Sequence, residues 1–107
     1  MIDGAQFMAE TQTEKEFGDN VEKFAKARGW LVHRDPTWRP TCTNAGYPDL
    51  TMLRDRVLIF AELKREKGGR LTPDQVEWLG EIERIGTPVR AYVWRPSDWN
   101  QIEKVLT

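Results

Sequence analysis

The chain has 107 residues, of which 39% are hydrophobic and 31% are charged, a length and composition typical of one folded domain. No apolar run approaches the roughly 18 residues that a membrane-spanning helix needs. Residues 1–10 lack the basic and apolar regions of a signal peptide, and the single cysteine excludes an internal disulfide framework. We therefore expect one cytoplasmic domain over residues 1–107 without membrane association. Its first 12 residues are polar, which predicts a frayed segment or one docked on a partner.

The net charge of −1 is unevenly distributed along the chain. Residues 23–70 contain 11 Lys and Arg against 5 Asp and Glu, whereas the remainder contains 5 basic and 12 acidic residues. A basic middle in an acidic chain favours a surface that binds phosphates. Scattered surface charge is the alternative.

Hydrophobic spacing predicts three helices and four strands. The first helix begins at Thr13 and ends at Gly29, and the prolines within residues 35–48 mark a long loop that is itself a candidate for function. The other predicted elements are strands over 30–33, 50–53, 57–63 and 89–94, a second helix from Thr72 to Gly86, and a short last helix from Pro96. This α-β-β-β-α-β-α order predicts an α/β domain with a mixed central sheet flanked by helices.

A carboxylate interrupts the apolar strand over residues 57–63. Glu62 lies inside this run, and Lys64 shares its face of the strand because side chains alternate. Burying a carboxylate without a partner costs several kcal/mol. Glu62 therefore indicates a functional site.

The predicted hairpin brings a second carboxylate beside the first. If the chain turns about Asp55-Arg56, Asp49 lies opposite Glu62 with Cβ atoms roughly 4.5–5.5 Å apart. Such a pair repels unless one group is protonated or a divalent cation lies between them, and hard oxygen ligands favour Mg²⁺ or Mn²⁺. This set predicts metal-dependent phosphodiester hydrolysis, in which Lys64 orients the attacking water or stabilises the transition state. A salt bridge between Lys64 and a carboxylate is the structural alternative.

Several motifs accompany these residues in order. Gly46-Tyr47-Pro48-Asp49 precedes Phe60-Ala61-Glu62-Leu63-Lys64, which is followed by Gly68-Gly69 and by a helix that starts Leu71-Thr72-Pro73-Asp74-Gln75. With Glu14 on the first helix, the set resembles the VRR-NUC (virus-type replication-repair nuclease) domain of the PD-(D/E)xK nuclease superfamily. The resemblance covers most of the chain.

The resemblance implies a restriction-endonuclease-like core and Mg²⁺- or Mn²⁺-dependent cleavage of structured DNA. Carried over to this chain, it implies that Asp49, Glu62 and the Leu63 carbonyl bind the metal. Lys64 would be the catalytic lysine, and Gln75 would organise the site or contact the DNA backbone. Gln75 fits equally well as the capping-box residue of its own helix.

Three glutamates of the first helix match the family's helix glutamate. Glu14 fits best, 15 residues before Gly29, and the resemblance implies that it is a metal ligand and a catalytic residue. Glu16 is the rival, although its spacing from Thr13 is also that of a capping box. Glu22 is the third candidate.

Basic and aromatic residues near the constellation are candidates for DNA contact. Arg65, Lys67 and Arg70 follow the second hairpin strand, around two glycines that permit close approach of the backbone. A solvated turn is the alternative. Trp38 is a candidate for base stacking, with Arg39 beside it in the long loop.

We therefore expect a divalent-metal-dependent endonuclease that cuts branched DNA such as a four-way junction. The junction preference, a homodimeric assembly and a phage origin follow from the resemblance to small standalone members that are similar to Holliday-junction resolvases. The alternatives are a restriction-type or flap nuclease, a non-catalytic nucleic-acid-binding module on the same fold, and a structural domain with a salt-bridge network.

Overall fold

The computed structural model describes residues 9, 11–35 and 45–107. In these residues the elements are α1 (Glu14–Ala27), β1 (Leu31–Arg34), β2 (Leu50–Arg54), β3 (Val57–Leu63), α2 (Pro73–Ile85), β4 (Val89–Trp94), a 3-10 turn (Pro96–Asp98) and α3 (Trp99–Leu106). The predicted α/β class and element order are confirmed. No helix among these residues is long and apolar enough to cross a membrane. The predicted N-terminal segment lies almost entirely outside them.

Both long helices begin at capping boxes. Thr13 Oγ1 accepts the N–H of Glu16 at 3.0 Å, and the Glu16 carboxylate accepts the N–H of Thr13 at 3.3 Å. Thr72 and Gln75 make the same reciprocal pair at α2, where Pro73 occupies the first helical position. Each cap fixes where its helix starts. The second cap also fixes the side chain of Gln75.

The strands form one mixed sheet in the order β1-β2-β3-β4. The first three strands are antiparallel, and β4 returns parallel to β3 after α2. Asp55 and Arg56 both have positive φ, 49° and 68°, which is the two-residue turn that suits the twist of a hairpin even without glycine. Leu50 pairs with Ala61, so the next facing positions are Asp49 and Glu62. The predicted register is therefore confirmed.

The two faces of the sheet differ in what covers them. One face packs on α1 and α3, in a core that includes Phe17, Val21, Leu50, Met52, Ile59, Ala61, Leu63, Trp94, Ile102 and Leu106. Phe60 and Glu62 point to the opposite face because side chains alternate along β3. There Tyr47 packs edge-on against Phe60 and against Trp78 of α2, with ring centroids 6.2 and 5.2 Å apart. Helix α2 thereby covers the face that carries Glu62.

Candidate active site

Asp49 and Glu62 face each other where β2 begins and β3 ends. Asp49 Oδ2 accepts the backbone N–H of Leu63 at 2.8 Å, and the Asp49 carbonyl accepts the N–H of Asp35 at 2.9 Å. Asp49 is therefore held from both neighbouring strands. Glu62 is only 2% exposed. Glu62 is therefore buried beside the half-buried Asp49.

Burial opposes the ionisation of both groups. Desolvation raises the pKa of Asp49, against the opposing effect of the Leu63 N–H. Desolvation raises the pKa of Glu62 to about 8, and repulsion from Asp49 adds to this effect whereas Lys64 opposes it. The pair therefore ionises fully at neutral pH only when more positive charge is brought to it.

Lys64 supplies one positive charge to this pair. Its side chain is nearly buried, and Nζ lies 3.3 Å from Oε2 of Glu62. Its backbone N–H donates to the carbonyl of Trp94 at 3.0 Å, so the end of β4 holds it in place. The salt bridge expected as the structural alternative is thus present. The charge of Lys64 also lowers the pKa of Asp49, but one positive charge balances only one of the two negative charges.

Gln75 serves the helix cap and the site together. Its Oε1 accepts the N–H of Thr72 at 2.9 Å, while its Nε2 donates to Oε2 of Glu62 at 2.9 Å. The two interpretations of Gln75 that the sequence left open are therefore compatible. The start of α2 places an amide donor on the buried carboxylate.

We expect Gln75→Glu to impair the site more than the helix. Glutamate keeps an oxygen for the Thr72 N–H but removes the donor to Glu62, so repulsion should lower the free energy of unfolding at pH 8 by about 1–2 kcal/mol. Thermal unfolding at pH 5 and pH 8 measures this, and the loss should be smaller at pH 5, where Glu62 is protonated. Thr72→Ala removes cap stability alone, so its loss should be similar at both pH values. A Gln75→Glu loss that is equally independent of pH would contradict the prediction.

The donor set fits a hard divalent cation. Oε1 of Glu62 is buried and has no hydrogen-bond partner among the described residues. Carboxylate oxygens from Asp49 and Glu62 are the ligands that Mg²⁺ and Mn²⁺ prefer, and the Leu63 carbonyl belongs to the same strand end. Within residues 11–35 and 45–107, no third His, Cys, Asp or Glu joins the pair as a metal-binding group.

The structure does not bring the helix glutamates to the carboxylate pair. Glu14 is exposed at the first position of α1, one turn before Phe17, the first buried residue of that helix. Glu16 is the capping-box residue of α1. Glu22 forms ion pairs with Lys26 at 2.8 Å and with Arg34 at 3.4 Å. The implied metal-ligand role of Glu14 thus has no support in this arrangement.

The basic residues predicted to contact DNA lie next to the site where the structure describes them. Arg65, Lys67 and Arg70 are exposed and directly follow Lys64. Trp38 and Arg39 lie outside the described residues.

Two arginines near the site are not apparent from the sequence pattern. Arg34 lowers the pKa of Asp49 through its charge and is itself paired with Asp19 at 2.7 Å. Arg95 donates to three backbone carbonyls of the segment after Lys64. The only local signal at Arg95 is Asp98, three residues later, whose carboxylate accepts its N–H at 2.8 Å.

Comparison with known proteins identifies the fold. A solved structure named "VRR_NUC domain" has a TM-score of 0.67 and 21% identity, over 89% of this chain and 95% of that chain. A second, named "VRR_NUC domain protein", has a TM-score of 0.65 and 21% identity, over 88% of this chain and 87% of that chain. No protein-family model and no curated protein matches the chain. The chain therefore adopts the VRR-NUC form of the restriction-endonuclease-like fold, as the motifs predicted.

Proposed function

We propose that this protein is a divalent-metal-dependent DNA endonuclease. The observation that carries the proposal is the pair formed by half-buried Asp49 and buried Glu62, with Lys64 beside it and with Glu62 Oε1 lacking a partner among the described residues. A fold maintains such a pair at a cost in stability, and a cation with a phosphodiester substrate explains all three features. The likeness to two VRR_NUC domain structures supports a nuclease.

Mg²⁺ or Mn²⁺ is the proposed cofactor, with the carboxylates of Asp49 and Glu62 and the Leu63 carbonyl as its ligands. When bound, such an ion neutralises phosphate charge and lowers the pKa of a water molecule. The ligands are oriented in advance, because the Leu63 N–H holds Asp49 and Gln75 holds Glu62. Lys64 then donates hydrogen bonds to phosphate oxygens, where negative charge grows in the transition state.

DNA is the proposed substrate because positive charge continues from Lys64 onto the exposed surface beside this site. Exposed Arg65 and Arg70 extend this charge beyond the buried lysine. Positively charged side chains of this kind bind DNA phosphates with an affinity that falls steeply as the salt concentration rises.

Branched DNA, a homodimer and a role in a phage-infected bacterial cytoplasm are the finer parts of the proposal. A four-way junction is two-fold symmetric and must be cut on two strands to be resolved. Each chain has one Asp49–Glu62 pair, so two symmetric cuts require two copies.

A cleavage assay tests the function directly. We expect Mg²⁺ or Mn²⁺ to support paired symmetric nicks in a four-way junction, at a higher rate than cleavage of a 5′ flap or a plain duplex. EDTA and Lys64→Ala should each abolish the nicks. Sedimentation equilibrium of the protein alone should give the mass of a dimer.

Each other outcome selects an alternative. Preferred cleavage of the flap or the duplex would retain the nuclease and overturn the junction preference. A monomeric mass would overturn the homodimer. DNA binding without cleavage of any substrate would overturn the nuclease and favour the non-catalytic module.

A further inference from the structure

The segment after β3 is fastened to the end of β4 by one arginine. We call residues 65–70 the glycine loop, since it contains Gly68 and Gly69. Arg95 Nη1 donates to the carbonyls of Arg65 at 2.6 Å and of Gly68 at 3.0 Å, and its Nη2 donates to the carbonyl of Gly69 at 3.2 Å. Three carbonyls of the loop therefore converge on a single guanidinium.

Further features fix the shape of the glycine loop. Glu66 Oε1 accepts the N–H of Ser97 at 2.9 Å, which is a second link to the segment after β4. Gly68 and Gly69 have positive φ of 79° and 62°, and a Cβ on Gly68 would lie 2.9 Å from Nη2 of Arg65. The loop is thus held in one conformation that side chains at its glycines would disfavour.

Three carbonyls of the glycine loop are engaged by Arg95, whereas several of its backbone N–H groups have no acceptor among the described residues. In the described part of the chain, no hydrogen bond is donated by the backbone N–H of Arg65, Glu66, Gly68, Gly69 or Arg70. Peptide groups with engaged carbonyls and available N–H groups form a surface suited to anions. The exposed side chains of Arg65 and Arg70 add positive charge to it.

We propose that the glycine loop is a preformed cradle for a backbone phosphate of DNA, and that Arg95 is the positioning residue that maintains it. The proposal rests on the proposed function, because it identifies where the substrate backbone is held. The loop also adjoins the site: a Cβ on Gly69 would lie 3.4 Å from Cδ of Lys64. A phosphate in the cradle is therefore close to the one that is cut.

Arg95→Lys tests the positioning role of Arg95, because lysine keeps the positive charge but lacks the planar array of guanidinium N–H donors. In a Glu62→Gln background, which is expected not to cleave, Arg95→Lys should weaken the binding of a short DNA duplex about tenfold, since the loop must then be ordered on binding. Arg95→Ala should weaken it equally. Arg84→Lys is the matched control, because Arg84 is exposed on α2 and pairs with Glu81. Equal affinities of Arg95→Lys and Arg84→Lys would overturn the proposal.

Amide resonances test the cradle without a substitution at Arg95. In the isotope-labelled Glu62→Gln protein, titration with the same duplex should shift the backbone amide signals of Gly68 and Gly69. Inorganic phosphate should shift the same signals at higher concentration. DNA binding that leaves both glycine signals unchanged would overturn the cradle, even if Arg95→Lys failed to fold.

Kinetics separate failure of the cradle from failure of the nuclease. In the cleaving enzyme, Arg95→Lys should raise KM and change kcat much less. Metal-dependent cleavage with an unchanged KM would overturn the cradle and leave the nuclease standing. Binding that depends on Arg95, with no cleavage in either metal, would support the cradle and overturn the nuclease.

Discussion

Replacement of Lys64 by alanine is expected to lower the rate of cleavage by about a thousandfold, with binding of DNA and metal largely kept. The side chain is nearly buried, and its Nζ is 3.3 Å from Oε2 of Glu62. It therefore supplies charge where a phosphate would meet the carboxylate pair, and no other lysine of the described residues has such a contact with Glu62. Single-turnover cleavage at saturating enzyme separates this loss of chemistry from a loss of affinity.

Two further variants distinguish the loss of a catalytic group from a loss of folding. Lys64→Met keeps an apolar stem in the nearly buried position, so it should fold like the parent and still fail to cleave. Lys23→Ala removes an exposed lysine of α1 and should cleave normally. A Lys64→Met protein that cleaves within about threefold of the parent rate would contradict the assigned role.

Glu62→Gln is expected to abolish cleavage while stabilising the metal-free protein at pH 8. Burial raises the pKa of Glu62 to about 8, from an ordinary value of 4.5. The folded protein therefore has the full stabilisation from the bound proton of Glu62 below pH 4.5. This part of the free energy of unfolding is lost as the pH rises to about 8. Glutamine avoids this loss, so the variant should exceed the parent by about 4 kcal/mol at pH 8 and match it near pH 4.

Thermal unfolding in EDTA across this pH range measures the difference. Glu81→Gln is a matched control, since Glu81 is an exposed glutamate of α2 whose loss should leave the pH dependence unchanged. Asp49→Asn should also abolish cleavage, with a smaller gain in stability because its amide oxygen still accepts the Leu63 N–H. Added Mg²⁺ should stabilise the parent but not Glu62→Gln. Parallel pH curves for the parent and Glu62→Gln would contradict the prediction.

The carboxylate pair was predictable because local rules determine it. The apolar run around Glu62 sets the strand, and a two-residue turn at Asp55-Arg56 sets the register that places Asp49 opposite. The start of α2 follows from Thr72 and Pro73 in the same local way. Each of these features depends on neighbours within a few residues or on one hairpin.

Features that depend on long-range packing were not predictable in this way. Arg95 binds backbone carbonyls 26 to 30 residues away, and a carbonyl has no sequence signature. Glu14 has the helical spacing of the family glutamate, but spacing does not indicate which turn of the helix lies beside the carboxylate pair. The joint role of Gln75 was not predictable either. The capping-box pattern explains its Oε1 and the family motif explains its Nε2, but neither pattern indicates that one side chain does both.

That shared amide makes the site and the first turn of α2 one cooperative unit. When the turn frays, Gln75 leaves Thr72 and Glu62 together, so the amide holds Glu62 only in the population with a formed turn. Pro73 and Asp74 are exposed in this turn. Substitutions there would alter the site from the outer surface of the protein through local unfolding, without contacting either carboxylate.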